Sequence, residues 1–114
     1  MPTIRQLEYL VAVVDFGTFT EAAQRSHVTQ PGLSHQIKAL EADLGGAVLE
    51  RLTGGVRLTT LGRAVLPHAR AVLADVHRLA DTASVVVGLS GGTLELSTVT
   101  SLSLGVLPDL AKRW

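Results

Sequence analysis

The sequence contains no cysteine. That absence excludes a disulfide framework, a zinc–thiolate centre and a thiol nucleophile, and it is compatible with an intracellular setting. An excess of either charge is also missing, since ten Lys and Arg stand against ten Asp and Glu. A protein that coats nucleic acid by charge alone is therefore not expected, whereas a reader that relies on a few placed contacts remains open. No uninterrupted apolar run approaches the ~20 residues of a membrane span. The stretch MPTIRQLEYLVAVVDFG is broken by Arg5, Gln6 and Glu8, with Asp15 following, so it does not read as a secretory leader. A cytoplasmic protein without membrane contact is the expectation. Internal repeats and low-complexity tracts are missing. So are an acid/base pair, a nucleophile triad and a phosphate-binding glycine loop, and His68 and His77 lie too far apart for the i, i+4 pair of a helical metal site. The chain is expected to be no enzyme and to need no metal or cofactor.

What is present is a run of well-marked helices. At 114 residues and 46% hydrophobic the chain can bury one ordinary core. Thr3-Ile-Arg-Gln6 fits a capping box, and Ile4, Leu7, Leu10, Val11 and Val14 follow at helical spacing until Gly17. Thr18-Phe-Thr-Glu21 is a second capping box opening a short helix through Arg25. Thr29 then caps a third helix with Pro31 in its first turn, where a missing N–H costs nothing. Leu33, Ile37, Leu40 and Leu44 mark its buried stripe, and Gly45-Gly46 ends it. Two short apolar pieces flank Thr53-Gly54-Gly55, a plausible hairpin turn.

From Thr59 or Thr60 to about Val87, Leu58, Leu61, Val65, His68, Val72, Val76, Leu79, Ala83 and Val86 recur at steps of three and four. A helix of that length, roughly 40 Å, is too long to be covered by so small a domain. Its stripe needs a partner, and a second copy is the simplest. Pro67 should kink or loosen it, and Gly62 should weaken it slightly. After Gly88-Leu-Ser-Gly-Gly92, TLELSTV alternates like a strand and SLGVLPDLAKRW starts a helical pattern. One strand and one helix cannot make a core, so residues 89–114 read as the opening of an α/β domain that continues past Lys112-Arg113-Trp114.

Two short helices with a tight connection, the second carrying a polar outer face, fit a helix-turn-helix. Residues 29–43 would then be the helix that enters the major groove tip first. Thr29, Gln30 and Ser34 are short or amide side chains near that tip, and Gln pairs bidentately with adenine. Lys38 would reach a phosphate, and Pro31 and Gly32 would let the backbone approach closely. The same residues fit equally well a cap and a solvated face. The hairpin over 49–58 would be a wing whose Arg51 and Arg57 reach phosphates or a narrow minor groove, or else are ordinary surface arginines, with Glu50 as an ion-pair partner. Thr18, which opens the preceding helix, joins the DNA-facing set.

The run IRQLEYLVAVVDFGTFTEAAQRSHVTQPGLSHQIKALEADLGGAVLER, followed by GVRLTTLGRAVLPHARAVL, resembles the N-terminal region of LysR-type transcriptional regulators over residues 4 to about 80. The resemblance is carried most specifically by Phe19-Thr-Glu-Ala-Ala23, Thr29-Gln-Pro-Gly-Leu-Ser34, Glu50-Arg51 and Leu58-Thr59. It implies a mainly α fold, a winged helix-turn-helix over 1–59, a dimerisation helix over 60–88, and over 89–114 the first strand and helix of a truncated effector-binding α/β domain. It implies a sequence-specific transcriptional regulator that binds two operator half-sites as a homodimer, with a tetramer open to the full-length form. Thr29, Gln30, Pro31 and Ser34 match the DNA-contacting tip, Lys38 a backbone-contacting position, and Arg51 and Arg57 the wing. Leu61, Val65, His68, Val72, Val76, Leu79 and Ala83 would form the dimer seam. Thr100 and Ser101 would face a small-molecule effector if the rest of that domain is present.

The sequence departs from the family pattern in three ways. His35 stands where an Arg is common, the wing tip Leu52-Thr53-Gly54-Gly55 lacks an additional Arg, and Leu49 replaces a common Phe. Residues 1–60 carry Arg5, Arg25, Lys38, Arg51 and Arg57 against Glu8, Asp15, Glu21, Glu41, Asp43 and Glu50, an excess of one negative charge. Affinity is then expected to come from two linked half-site contacts.

Overall fold

The computed structural model describes residues 1–90. Three helices come first: α1 (Ile4–Phe16), α2 (Phe19–Arg25) and α3 (Gln30–Leu44). A hairpin of β1 (Leu49–Leu52) and β2 (Gly55–Leu58) follows, and then the long α4 (Thr60–Ser90). This is a mainly α winged helix-turn-helix with a long following helix. Two compact units divide the chain, one over Met1–Asp75 and one from Val76 onward. The strand and last helix expected beyond 92 lie outside the described residues.

Local signals set the boundaries. At α1 the capping box forms in full: the Thr3 hydroxyl accepts from Gln6 N–H and the Gln6 side chain accepts from Thr3 N–H, both at 3.1 Å. At α2 only half forms. Thr18 Oγ1 accepts from Glu21 N–H, but the Glu21 carboxylate turns to Arg25 at 2.8 Å instead of reaching back. Gly17 and Gly45 close α1 and α3 in the left-handed region, at φ 86 and 87.

Tyr9, Leu10 and Val13 of α1, Phe19, Ala22 and Ala23 of α2, Leu33, Ile37 and Leu40 of α3, and Val48 and Leu49 make one core. The α3 stripe is as the spacing implies. The α1 stripe is rotated: Gln6, Tyr9, Leu10 and Val13 are buried, while Ile4 is 42% exposed and Leu7 and Val14 only flank the core. Gln6 is tolerated inside because its amide completes the Thr3 cap and donates to Gln36 Oε1 at 3.3 Å, so a polar group is buried with partners.

The hairpin is antiparallel, with Glu50 opposite Arg57 and Leu52 opposite Gly55. Its turn is therefore the two residues Thr53-Gly54, with Gly54 at φ 86, rather than three. At the hairpin base Thr59 N–H donates to Val48 O at 3.0 Å, Thr59 Oγ1–H donates to Ala47 O at 2.6 Å, and the same oxygen accepts from Gly62 N–H at 3.0 Å. Thr59 is thus the cap of α4. Gly62 is buried, and a Cβ there would lie 2.1 Å from Val48 O. Its role is close packing, which corrects the expectation that it merely weakens the helix.

Candidate nucleic-acid interface

The burial of Leu33, Ile37 and Leu40 fixes the rotation of α3. Positions 30, 31, 34, 35 and 38 fall on its other side, since a helix repeats every ~3.6 residues. Gln30, Pro31, His35 and Lys38 are exposed there and Ser34 is half-buried. The five side chains proposed from sequence for the helix face are brought together on one surface.

The pose of α3 is set at both ends. Ahead of it, α2 closes with His27 N–H donating to Gln24 O at 3.2 Å and Val28 N–H donating to Ala23 O at 3.0 Å. This paired closure is a Schellman motif, and it requires a left-handed residue that His27 supplies at φ 59. Thr29 Oγ1 then caps α3 by accepting from Gly32 N–H at 3.1 Å. A Cβ at Gly32 would sit 2.9 Å from that hydroxyl, so the missing side chain leaves room for the cap. Behind it, Glu41 Oε2 accepts from Val48 N–H at 2.9 Å and more weakly from Leu49 N–H at 3.4 Å, fastening the hairpin base to α3.

The hairpin arginines have different surroundings. Arg57 is engaged by the facing Glu50, at 2.5 Å through one terminal nitrogen and 3.0 Å through Nε. Arg51 has turned back from the hairpin toward the helices. Its guanidinium stacks 3.7 Å from the centroid of the Phe19 ring and donates to Ser34 Oγ. Neither Arg51 nor Lys38 has a carboxylate partner among the described residues. Thr18 is half-buried and its hydroxyl is used as a cap. Two contributors were not legible beforehand. Phe19 reads as an apolar first-turn residue, and only the tertiary fold places Arg51 over it. Thr20 Oγ1 donates weakly to Gln30 Oε1 at 3.4 Å, across ten residues.

The residues expected to form a seam on α4 differ in their surroundings. Leu61 and Val65 are half-buried and pack, with Leu66, against the core of their own unit. The reason is that the first turns of α4 are fastened to the hairpin base by Thr59 and Gly62. Arg70 extends the attachment to α1 with two bonds to Asp15, at 2.7 and 3.3 Å. That pairing holds the Asp15 carboxyl below its usual range, mainly through the hydrogen bond from Arg70. Further along, His68 and Ala83 are exposed, Val76 is half-buried, Val72 is 39% exposed and Leu79 is 71% exposed. The helix continues through Pro67. Thr100 and Ser101 lie outside the described residues. Among the described residues no cluster of His, Cys, Asp and Glu could hold a metal, and no helix is long and apolar enough to cross a membrane.

A family model described as bacterial regulatory helix-turn-helix protein, lysR family, matches residues 4–63. The HTH-type transcriptional regulator IlvR of Caulobacter vibrioides is 43% identical over 111 residues, 97% of this chain and 38% of that protein. TfdT of Cupriavidus pinatubonensis, another HTH-type transcriptional regulator, is 45% identical over 93 residues, 82% of this chain and 41% of that protein. The chain thus spans about two fifths of the length of these curated relatives. Among solved structures, the DNA-binding domain of CbnR in complex with DNA is similar at a TM-score of 0.69 and 42% identity, covering 75% of this chain and 98% of that one.

Proposed function

From the premise that the chain belongs to the lysR family of bacterial regulatory helix-turn-helix proteins, we propose that it is a sequence-specific transcriptional regulator that reads operator DNA with the exposed face of α3. The observation that carries this reading is the gathering of Gln30, Ser34, His35 and Lys38 on the side of α3 that the core leaves free, with Arg51 added from the hairpin. The fact that the similar CbnR domain has been solved on DNA supports it.

In this reading the N-terminal end of α3 enters the major groove. Thr29, Gln30 and Ser34 lie at the tip, with Gln30 and Ser34 meeting base edges, Pro31 and Gly32 allow a close backbone approach, and Lys38 meets a phosphate. His35 adds a further polar contact from the same face. Arg57 contributes to the wing only after loosening from Glu50, and Thr18, whose hydroxyl caps α2, contributes from the start of that helix. Residues 1–59 form the DNA-binding domain and 60–88 the dimerisation helix, with His68, Val72, Val76, Leu79 and Ala83 as the seam between two copies. Residues 89–114 begin an effector-binding domain, where Thr100 and Ser101 would face a small molecule. The protein acts in the cytoplasm, and it regulates rather than catalyses.

A gel shift on a duplex with two half-sites tests the reading. Gln30→Ala and Ser34→Ala should each weaken binding and relax sequence preference, by ~1–3 kcal/mol per lost base contact. Full affinity and unchanged preference in both variants would remove α3 as the reading element.

A further inference from the structure

We propose that Arg51 is a positioning residue for base discrimination: it fixes the Ser34 hydroxyl as a hydrogen-bond donor toward DNA, and is not a phosphate contact. The inference rests on the DNA-binding reading of α3 and deepens it. Arg51 belongs to β1, yet its head lies between α2 and α3, stacked on Phe19 at 3.7 Å from the ring centroid and donating to Ser34. A planar guanidinium can stack on a ring and donate in its own plane at the same time.

The polarity of the contact follows from chemistry. A guanidinium has donors and no acceptor, and a serine hydroxyl has one O–H and two lone pairs. Ser34 must therefore accept from Arg51. A mid-helix serine commonly spends its hydrogen on the carbonyl four residues back, but the Ser34 hydroxyl makes no such bond to Gln30 among the described residues. The hydrogen is left for a partner outside the protein. Gln30 has the same polarity, more weakly, because its Oε1 accepts from Thr20 at 3.4 Å and leaves the NH2 group outward. With Lys38, the tip offers donors.

The major groove presents acceptors at guanine O6 and N7, thymine O4 and adenine N7, and donors at cytosine N4 and adenine N6. The base opposite Ser34 should accordingly be one with an acceptor, guanine, thymine or adenine, and cytosine should be disfavoured there. Removing the Arg51 donor frees the second lone pair, so Ser34 accepts as readily as it donates and that discrimination relaxes.

The test is selection of bound sequences from random duplex DNA, together with the salt dependence of affinity, for the wild-type protein and for Arg51→Met, Arg51→Lys, Ser34→Ala and the double variant Arg51→Met/Ser34→Ala. The Met side chain can still cover Phe19 but cannot donate. Arg51→Met should lower the preference at one base position per half-site by roughly 3- to 10-fold, the size of one hydrogen bond. The position should be the one that Ser34→Ala affects, and the double variant should lose nothing more. Arg51→Lys, which keeps an N–H donor, should retain most of the preference. The slope of log affinity against log salt should not change. A uniform loss across sequences with a slope shallower by about 0.9 per subunit would make Arg51 a phosphate contact and overturn the inference alone. A Lys profile identical to the Met profile would assign the effect to stacking and overturn the hydrogen-bond mechanism. Failure of the wild-type protein to select any sequence would overturn the DNA-binding reading itself, and this inference with it.

Discussion

His27, between α2 and α3, is the one non-glycine residue in the left-handed region among the described residues. It sits at φ 59 without being glycine, because the Schellman closure of α2 requires a left-handed residue there. A side chain in that region costs on the order of 1 kcal/mol, and glycine returns part of the gain through its freedom in the unfolded chain. His27→Gly should therefore raise stability by about 0.5 kcal/mol or slightly more. His27→Val, β-branched in a region that disfavours it, should lower stability by more than about 1 kcal/mol. Urea midpoints at unchanged slope would measure both, and a glycine variant less stable than wild type would show that the imidazole makes a compensating contact. Gly62 offers the opposite sign. Helix propensity alone predicts that Gly62→Ala stabilises by about 1 kcal/mol. The approach of Val48 O to within 2.1 Å of the added Cβ predicts instead a loss of about 1–3 kcal/mol, the range for overpacking. A higher thermal midpoint for Gly62→Ala would mean that α4 can back away from the hairpin base.

At the scale of the element, caps and stripes were legible in the sequence where a single helix decides them. The Thr3 box, the Thr29 cap, the α3 stripe and the Gly45 stop are all local, and each is where the residues imply. What could not be read depended on contacts between distant segments. The α1 stripe is turned because Gln6 finds partners both in its own cap and on Gln36 of α3. Leu61 and Val65 pack against the core of their own unit, where Gly62 admits the hairpin base beside them. Arg51 joins α3 through Phe19 and Ser34, fifteen or more positions away. The Asp15–Arg70 pair belongs to this class as well, tying α1 to α4 across 55 residues. With the Asp15 pKa lowered in the folded state, its contribution is present above the ordinary aspartate value of about 3.9 and is lost as pH falls through the lower folded value. Both side chains are about half exposed, at 47% and 46%, so solvent screening limits the effect to below ~1 kcal/mol. Asp15→Asn should accordingly lower stability by less than that near neutral pH and flatten the loss of stability below pH ~4. An unchanged acid limb would show that the pair does not persist in solution.

For the whole molecule, the charges bear on how strongly one subunit can hold DNA. Arg5, Arg25, Arg57 and Arg70 are paired with carboxylates, whereas on the proposed reading face Lys38 and Arg51 have no carboxylate partner among the described residues. With Arg51 turned to Ser34, Lys38 is the main phosphate-seeking group on α3, and the excess of negative charge over residues 1–60 opposes approach. A single domain should therefore bind weakly and with a shallow salt slope, about −1 for each phosphate held. Useful affinity must come from joining two domains, since linkage raises overall binding by ~10²–10⁴ without any new contact. Leu79 is a discriminating place to break that linkage. It is 71% exposed and lies in none of the packed core, so replacing it should leave the fold of residues 1–59 intact. Leu79→Asp would put a charge into the proposed seam between two copies, where an unpaired buried charge is costly. The expected outcome is a monomer in sedimentation, a thermal midpoint for the DNA-binding domain close to wild type, and affinity for a two-half-site duplex reduced by ~100-fold or more. Affinity for a duplex with one half-site should barely move. Equal losses on both duplexes would mean that Leu79 supports the reading domain itself, and a dimer that survives the substitution would take the seam off this face of α4.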